Sequence, residues 1–351
     1  MKKFFLIAAA AVVAFASCSK NETAPVQDRA IGFNTYTGRS VTKANVTNFI
    51  PKSQTWLTDQ PFGVYAYNSK DADFAQANVA NYAKFFTNQK VTFTGLEADK
   101  TNEKKYDYSP LRYWPNDKAS NKLTFWAYYP YEALTKGFEA NDYAITATTP
   151  DAMDDLLVAD IVANQAYDSN NGVVPFVFHH ALTMVKFFVI AEEDYGTDVT
   201  ITLNSITLKG VKKAGTITPT YASNATSFAW TATGDDATFA VCDTDAEIDD
   251  AGSFFPVYTS DAENKAAYLM IPQALTNAKV DIQYTVSMTG SDDVVNTVTD
   301  LPLTTTAVPR WDMNKNIKYT FTIGLKPIRF TASVEPWADE VEVPFTSPFT
   351  I

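Results

Sequence analysis

The sequence has little of the side-chain chemistry that most enzymes use, with two cysteines and two histidines among 351 residues. His179 and His180 are adjacent, and neighbouring residues on a strand point to opposite faces, so the pair does not easily share a metal ion. We interpret an inward histidine as a hydrogen-bonded core residue rather than a catalytic one. The sequence also lacks a Gly-rich phosphate loop, a Cys-x-x-Cys pair and a Gly-x-Ser-x-Gly elbow. We therefore predict a structural or binding role, with no enzymatic activity, no cofactor and no metal.

Positive charge is in the minority, because 28 Lys and Arg stand against 40 Asp and Glu and give a formal net charge of −12. An acidic chain is repelled by phosphate backbones and by anionic lipid surfaces, so we do not expect nucleic acid as a partner. The acidic pairs Asp154-Asp155 and Asp249-Asp250 lack the loop pattern of an EF-hand. We predict that both pairs are solvated loops.

The N-terminus predicts export. Two lysines precede an apolar run, residues 4–16, which is too short to span a bilayer. The run leads through Phe-Ala-Ser to Cys18, which resembles the lipobox of bacterial lipoproteins and implies cleavage before Cys18 and acylation of its thiol. An ordinary secretory signal that leaves Cys18 unmodified is the alternative. We assign residues 1–17 to the signal peptide and residues 18–29 to a polar tether.

The cysteine count also argues against a disulfide framework. Cys18 and Cys242 are the only cysteines, so acylation of Cys18 leaves Cys242 without an intrachain partner. We predict that Cys242 is a packed strand residue rather than a nucleophile. Without disulfides, stability must come from burial and sheet pairing. The sequence supplies apolar area for this with 24 Phe, 18 Tyr and 6 Trp.

Helical periodicity is scarce, whereas period-2 alternation of apolar residues recurs along the chain. The alternation predicts strands at residues 123–129, 185–189, 199–203, 280–288 and 317–325. Clusters of turn-forming residues separate these segments. The pattern predicts an all-β fold.

Two antiparallel β-sandwich domains are the economical arrangement of so many strands. The polar stretch 168–172 is the candidate boundary, which gives an N-terminal domain at 30–172 and a C-terminal domain with a terminal strand at 173–351. One helical turn is expected within residues 77–86.

Several short strings, in one order along the chain, resemble the fimbrillin family, the Mfa-like lipoprotein subunits of type V pili. The strings are Tyr113-Trp114-Pro115, Leu123-Thr124-Phe125-Trp126-Ala127-Tyr128-Tyr129-Pro130, Asp155-Leu156-Leu157-Val158-Ala159, Phe178-His179-His180-Ala181-Leu182, Leu269-Met270-Ile271-Pro272-Gln273 and Val334-Glu335-Pro336-Trp337. The resemblance implies two transthyretin-like β-sandwich domains in tandem. It also implies export to the outer membrane and cell surface, with the lipid as the first attachment.

In polymerising members of this family, an arginine- or lysine-specific protease removes an N-terminal strand, and a strand of another subunit fills the vacated groove. The partners that the resemblance implies are therefore other fimbrial subunits, of the same or a different kind, and that protease. Residues 30–37 alternate and form the candidate removable strand. Arg39, which follows in a predicted turn, is the expected cleavage site. We place it ahead of Lys43 and of Arg29, which precedes the strand; the alternative is that Arg39 is a solvated turn residue.

The C-terminal segment, residues 340–351, is the candidate donor strand, because apolar residues alternate along it. Pro344 and Pro348 fall on the outward-facing set and indicate an edge or interrupted strand. The alternative is that this tail packs on its own second domain, which would fit a tip or anchor subunit better than a shaft subunit.

Two functions follow from these observations. We expect a fimbrial structural or tip subunit that is exported as a lipoprotein, is assembled by proteolysis-triggered donor-strand exchange and contributes to cell adhesion. The alternative is a monomeric surface lipoprotein that binds glycan or another adhesion ligand on aromatic side chains. Trp126, Tyr128 and Tyr129 share one short strand, and we interpret them as core residues.

Overall fold

The computed structural model describes residues 29–37, 61–96, 104–131, 138–140, 145–148, 156–255, 268–325 and 328–335. Cys18, Arg39, Lys43 and the segment 340–351 lie outside these residues, so what the sequence predicts for them stays a prediction. The described chain is built almost entirely of strands, which confirms the all-β fold class.

The strands are β1 (Gly32–Thr37), β2 (Phe62–Asn68), β3 (Ala83–Leu96), β4 (Lys104–Asp107), β5 (Leu123–Tyr129), β6 (Phe138–Ala140), β7 (Ile145–Thr148), β8 (Leu157–Ala159), β9 (Val162–Gln165), β10 (Val173–His180), β11 (Thr183–Ala191), β12 (Val199–Ala222), β13 (Ala225–Cys242), β14 (Ala246–Ile248), β15 (Ser253–Phe255), β16 (Tyr268–Met270), β17 (Gln273–Ala274), β18 (Lys279–Met288), β19 (Val294–Pro302), β20 (Arg310–Trp311), β21 (Lys315–Ile323) and β22 (Arg329–Glu335). Short 3-10 helices cover Gln76–Asn81 and Ser169–Gly172. Within the described part of the chain, no helix has the length and apolarity needed to cross a membrane.

The first sheet has the strand order β1-β10-β8-β5-β2-β3-β4, and β9 also pairs with β5. Its pairings are antiparallel except that of β1 with β10, which is parallel. One face of this sheet forms an aromatic core with side chains from β1, β2, β5 and β10. β5 is buried along its whole length, as expected for a strand that is apolar on both faces.

The second body is a sandwich of two sheets. One sheet has the order β15-β11-β21-β22, with β16 beside β11; the other has the order β19-β18-β12-β7-β6, with β13 and β14 also beside β12. The ring of Phe187 on β11 stacks on Tyr319 and Phe321 of β21 at centroid distances of 5.7 and 6.3 Å. These rings pack against Ile201 and Leu203 of β12 in one buried cluster. Burial across the two sheets therefore holds the sandwich together.

A shared apolar cluster joins the two bodies. Tyr65 and Trp126 of the first sheet belong to the same cluster as Ile217 of β12, and the indole of Trp230 on β13 packs against it. Nε1 of Trp230 donates a hydrogen bond to the carbonyl of Ala181 over 2.7 Å. The short strand β7, which lies between β5 and β8 in sequence, pairs with β12. Burial, hydrogen bonding and sheet pairing thus connect the bodies.

The chain changes sheets slightly later than the predicted domain boundary at residue 172. β10 follows that point and lies in the first sheet, where Val174, Phe176 and Phe178 enter the first core. The strands from β11 onward lie in the second body, which β6 and β7 had already joined from the first half of the chain. We propose a boundary after His180, and the division into two domains stays a prediction.

Most predicted strands are confirmed, since residues 123–129, 185–189, 199–203 and 280–288 fall within β5, β11, β12 and β18. The strand predicted at 317–325 was too long: it ends at Ile323, and Leu325 is 57% exposed. The helical turn expected within 77–86 covers only part of that range. The chain enters β3 at Ala83, because the buried side chain of Phe86 belongs to the first core.

Candidate functional site: the groove of the first strand

β1 is the outermost strand of the first sheet and lies in a groove with two walls. One wall is β10, which runs parallel to β1 in a register that pairs Gly32 with Val173. The other wall consists of β4 and the segment 108–114. The amide of Ile31 donates to the carbonyl of Arg112 on this second wall over 3.0 Å. The first strand is therefore paired with β10 along its length, and the residue before it is hydrogen-bonded to the second wall.

The sequence of β1 places alternate side chains in the core. Ile31, Phe33 and Thr35 are 2%, 4% and 3% exposed, whereas Gly32 and Asn34 between them are half-buried. Alternation of this kind follows from the pleat of a strand. It confirms the prediction that residues 30–37 contain a strand with one apolar face.

Phe33 occupies an aromatic pocket. Its ring stacks on Phe176 of β10 at a centroid distance of 5.8 Å and an interplanar angle of 15°. The other rings around it, with their centroid distances, are Tyr108 at 5.3 Å, Phe86 at 6.0 Å, Phe62 at 6.3 Å and Phe125 at 6.5 Å. Burying a side chain such as Phe contributes about 1.5–3 kcal/mol, and each aromatic pair adds about 0.5–1.5 kcal/mol. Phe33 is therefore the main apolar anchor of β1.

Two buried tyrosines of the second wall contact β1 through their hydroxyl groups. The hydroxyls of Thr35 and Tyr106 are 2.5 Å apart, and the hydroxyl of Tyr108 donates to the carbonyl of Ile31 over 2.9 Å. Burial raises the pKa of Tyr106, an effect that its hydrogen bond with Thr35 opposes. Burial also raises the pKa of Tyr108 to about 12. Both phenols thus stay protonated at neutral pH and can donate hydrogen bonds to a strand in the groove.

Arg29, which is separated from β1 by Ala30 and Ile31, is held by several groups. Its Nη1 donates to Oδ1 of Asn116 over 2.7 Å, and its guanidinium lies 5.5 Å from the ring centroid of Tyr167. Its carbonyl accepts a hydrogen bond from the amide of Trp114 over 2.9 Å. These contacts fix the chain at the entrance to the groove.

Comparison with known proteins identifies the family. A family model described as fimbrillin-like matches residues 42–337. The chain belongs to the fimbrillin-like family. The fimbrium subunit Fim1C of Phocaeicola vulgatus is 25% identical in an alignment that covers 95% of this chain and 96% of that protein. The resemblance predicted from the ordered strings is thereby confirmed.

Solved structures of similar proteins share the fold. A crystal structure of a fimbrial protein from Bacteroides vulgatus matches with a TM-score of 0.63 at 20% identity, covering 88% of this chain and 100% of that one. A cell adhesion protein from Bacteroides uniformis matches with a TM-score of 0.50 at 19% identity, covering 90% and 100% of the two chains. The fimbrillin-like chain thus has the fold of these two solved proteins.

The histidines of this fimbrillin-like protein lie on opposite faces of β10, as predicted from their adjacency. His180 is 8% exposed. Nε2 of His179, on the other face, lies 3.1 Å from the carboxylate of Asp160. Among the residues that the structure describes, no group of three or more His, Cys, Asp or Glu side chains is arranged to hold a metal ion.

Cys242 is a packed residue at the end of β13, which confirms its predicted role. It is 7% exposed, and its Sγ donates to the carbonyl of Thr244 over 3.2 Å. Burial raises the pKa of this thiol, which lowers its reactivity.

The acidic pair Asp249-Asp250 is exposed, and Oδ1 of Asp249 accepts a hydrogen bond from the amide of Gly252 over 2.9 Å, as expected for a solvated turn. Asp154-Asp155 lies outside the described residues.

The aromatic side chains considered as glycan platforms are buried. Trp126, Tyr128 and Tyr129 are 1%, 2% and 3% exposed, which confirms their interpretation as core residues. None of these three rings offers a face to a ligand.

Sequence reasoning missed Tyr106 and Tyr108, the polar part of the groove. Their spacing in Tyr106-Asp107-Tyr108 places both side chains on one face of an extended segment, which was a detectable signal. What the sequence could not supply was the strand that they would face.

Proposed function

We propose that this fimbrillin-like chain is a structural or tip subunit of a fimbrium, exported as a lipoprotein on Cys18 and assembled by proteolysis-triggered donor-strand exchange. In this role it contributes to cell adhesion. The observation that supports the proposal most directly is β1: a short strand near the N-terminus fills a groove built by the rest of the first body. A strand held by main-chain bonds and alternate side chains can be replaced by another strand with a matching pattern.

The contacts of β1 explain why the strand would have to be replaced and not merely lost. Burial of Ile31 and Phe33 contributes about 1.5–3 kcal/mol each. Loss of β1 would also leave the hydroxyl of Tyr106 and the exposed edge of β10 without partners. A whole domain has a free energy of unfolding of only about 5–15 kcal/mol. The stabilisation lost when the groove is empty would therefore be a large fraction of that total. A donor strand from another subunit would restore the lost burial, and this provides the driving force for assembly.

Arg39 is the proposed trigger. β1 ends at Thr37, so cleavage after Arg39 would separate the strand from the body together with the tether and the lipid on Cys18. Cleavage at Arg29 would leave β1 attached to the body, and the contacts of Arg29 with Asn116 and Tyr167 oppose access of a protease. The lipid on Cys18 would attach the subunit to the outer membrane until an arginine-specific protease cleaves the chain. After cleavage this attachment would be lost. Other fimbrial subunits are the partners after cleavage.

Arg39→Ala tests the trigger in cells that express the full chain. We expect wild-type protein recovered from the surface to begin at Ser40 and to form ladders on gels of unheated samples. The Arg39→Ala variant should keep its N-terminal segment and stay monomeric, whereas the control Arg29→Ala should be processed like wild type. N-terminal sequencing and the gels give the readout. Normal processing of Arg39→Ala would remove Arg39 from the proposal, and ladders from chains that retain β1 would exclude strand exchange.

A further inference from the structure

We infer that Tyr106 determines which strands this groove accepts, because its buried phenol requires a hydroxyl group at the last inward-facing position of the incoming strand. The inference rests on the proposed strand exchange, and it names a specificity-determining residue of the groove.

The groove has three side-chain positions. The first takes the aliphatic side chain of Ile31, and the second is the ring-lined pocket of Phe33. The third holds Thr35, whose hydroxyl is 2.5 Å from that of Tyr106. Because Tyr106 is only 6% exposed, an incoming residue without a hydrogen-bonding group would leave its phenol buried without a partner. The groove therefore selects the pattern β-branched aliphatic, any residue, Phe, any residue, Ser or Thr.

This pattern is rare in the chain. It occurs in β1 as Ile31-Gly32-Phe33-Asn34-Thr35 and near the C-terminus as Val343-Pro344-Phe345-Thr346-Ser347. Elsewhere in the sequence it is found only at residues 13–17, inside the predicted signal peptide. Since the signal is removed, the C-terminal copy is the remaining match outside β1. The C-terminal segment thus carries the hydroxyl group, on Ser347, that Tyr106 requires.

The register also sets the strength of the interaction. The amide and carbonyl of Ile31 face the second wall, so those of Gly32 face β10, because successive residues of a strand present their main chain to opposite sides. Pro344 would take the position of Gly32 and has no amide to donate there. A Cβ at Gly32 would lie 3.4 Å from Cγ2 of Val173, which is ordinary contact. The tail therefore fits but makes one bond fewer than β1, so covalently attached β1 keeps the groove until the chain is cut.

The experiment uses the mature chain with residues 39–43 replaced by the site of a sequence-specific protease and with Phe345→Ala to silence its own tail. Cys18 is unmodified in protein made without the signal peptide, so a dye can be attached to it. Release of the dye with the cleaved segment reports the release of β1. The thiol of Cys242 is buried and is not labelled. After cleavage, peptides of residues 341–351 are added. We expect the wild-type peptide to displace β1. Phe345→Ala should weaken displacement by about 100-fold, whereas Phe349→Ala, beyond the three positions, should change it much less.

The hydroxyl requirement is tested by pairing two substitutions. Ser347→Ala should weaken the peptide by about tenfold on the wild-type groove and by less than about twofold on a Tyr106→Phe groove, because removing both hydroxyls leaves no unpaired group. Equal losses on both grooves would overturn the role of Tyr106. If a peptide of residues 30–37 displaces β1 and the tail peptide does not, the groove does not accept the C-terminal segment, although strand exchange survives. If neither peptide displaces β1, the proposed function itself fails.

Discussion

The ring of Phe33 has neighbours from β2, β3, β5 and β10 and from the segment after β4, so its side chain is packed from several directions. Its pocket is closed, because Phe33 is 4% exposed. Truncation would therefore remove apolar burial and leave a cavity that the surrounding rings cannot easily fill.

We predict that Phe33→Ala lowers the free energy of unfolding of the uncut chain by about 3–5 kcal/mol. The control is Val295→Ala on β19, where the side chain is 61% exposed and the change should stay within about 0.5 kcal/mol. Urea titration followed by intrinsic fluorescence measures both. Similar stability of the two variants would mean that β1 does not occupy the groove in solution.

Tyr108 makes the stability of the first body sensitive to alkaline pH. Its pKa is raised to about 12 mainly by burial, whereas an unfolded tyrosine titrates near pH 10. A raised pKa means that the folded state holds the proton more tightly than the unfolded state does. The stabilisation is therefore complete below about pH 10 and is lost as pH rises from about 10 to about 12.

We predict that the midpoint of urea unfolding falls between pH 10 and pH 12 and that Tyr108→Phe reduces the slope of this fall. Phenylalanine keeps the ring against Phe33 and removes the titrating group. At neutral pH the same variant should be moderately less stable, because the carbonyl of Ile31 loses the donor from Tyr108. An unchanged alkaline slope would show that other groups control this transition.

The long hairpin of β12 and β13 is the element that ties the two bodies together. Its turn at Ser223 and Asn224 has positive φ values of 51° and 60°, which match a two-residue hairpin turn. On the first body, Oε1 of Gln76 accepts the amide of Tyr221 over 2.6 Å and its Nε2 donates to the carbonyl of Pro219 over 2.8 Å. The indole of Trp230 adds both burial and a bond to Ala181.

We predict that Trp230→Ala separates the unfolding of the two bodies, because it removes apolar contact and a hydrogen bond from their shared cluster. Differential scanning calorimetry should show one transition for wild type and two for the variant. Thr231→Ala, which changes the exposed neighbouring position on the other face of β13, is the matched control and should unfold like wild type. A single transition for Trp230→Ala would indicate that the pairing of β7 with β12 is sufficient for coupling.

At the scale of the whole molecule, local and long-range pairing have different roles. Hairpins such as β12–β13 and β18–β19 join neighbours in sequence, whereas the parallel pairings of β1 with β10 and of β11 with β21 join distant segments. Parallel strands need a long connection, and β10 follows β1 only after most of the other strands of the first body. The wall beside β1 is therefore supplied by a strand far along the chain, and β1 remains the outermost strand of the sheet.

The sequence by itself determined the strands and their buried faces, because alternation of side chains is a local property of an extended backbone. It also determined the family, since the ordered strings carry that resemblance, and it predicts the export signal and Cys18 from charge, length and spacing. It did not reveal that β1 would pair with β10, that Tyr106 would meet Thr35, or that Trp230 would contact the first body. Only the tertiary structure decided these contacts, because each joins residues far apart in the chain, and the pattern of one strand does not specify which other strand lies beside it.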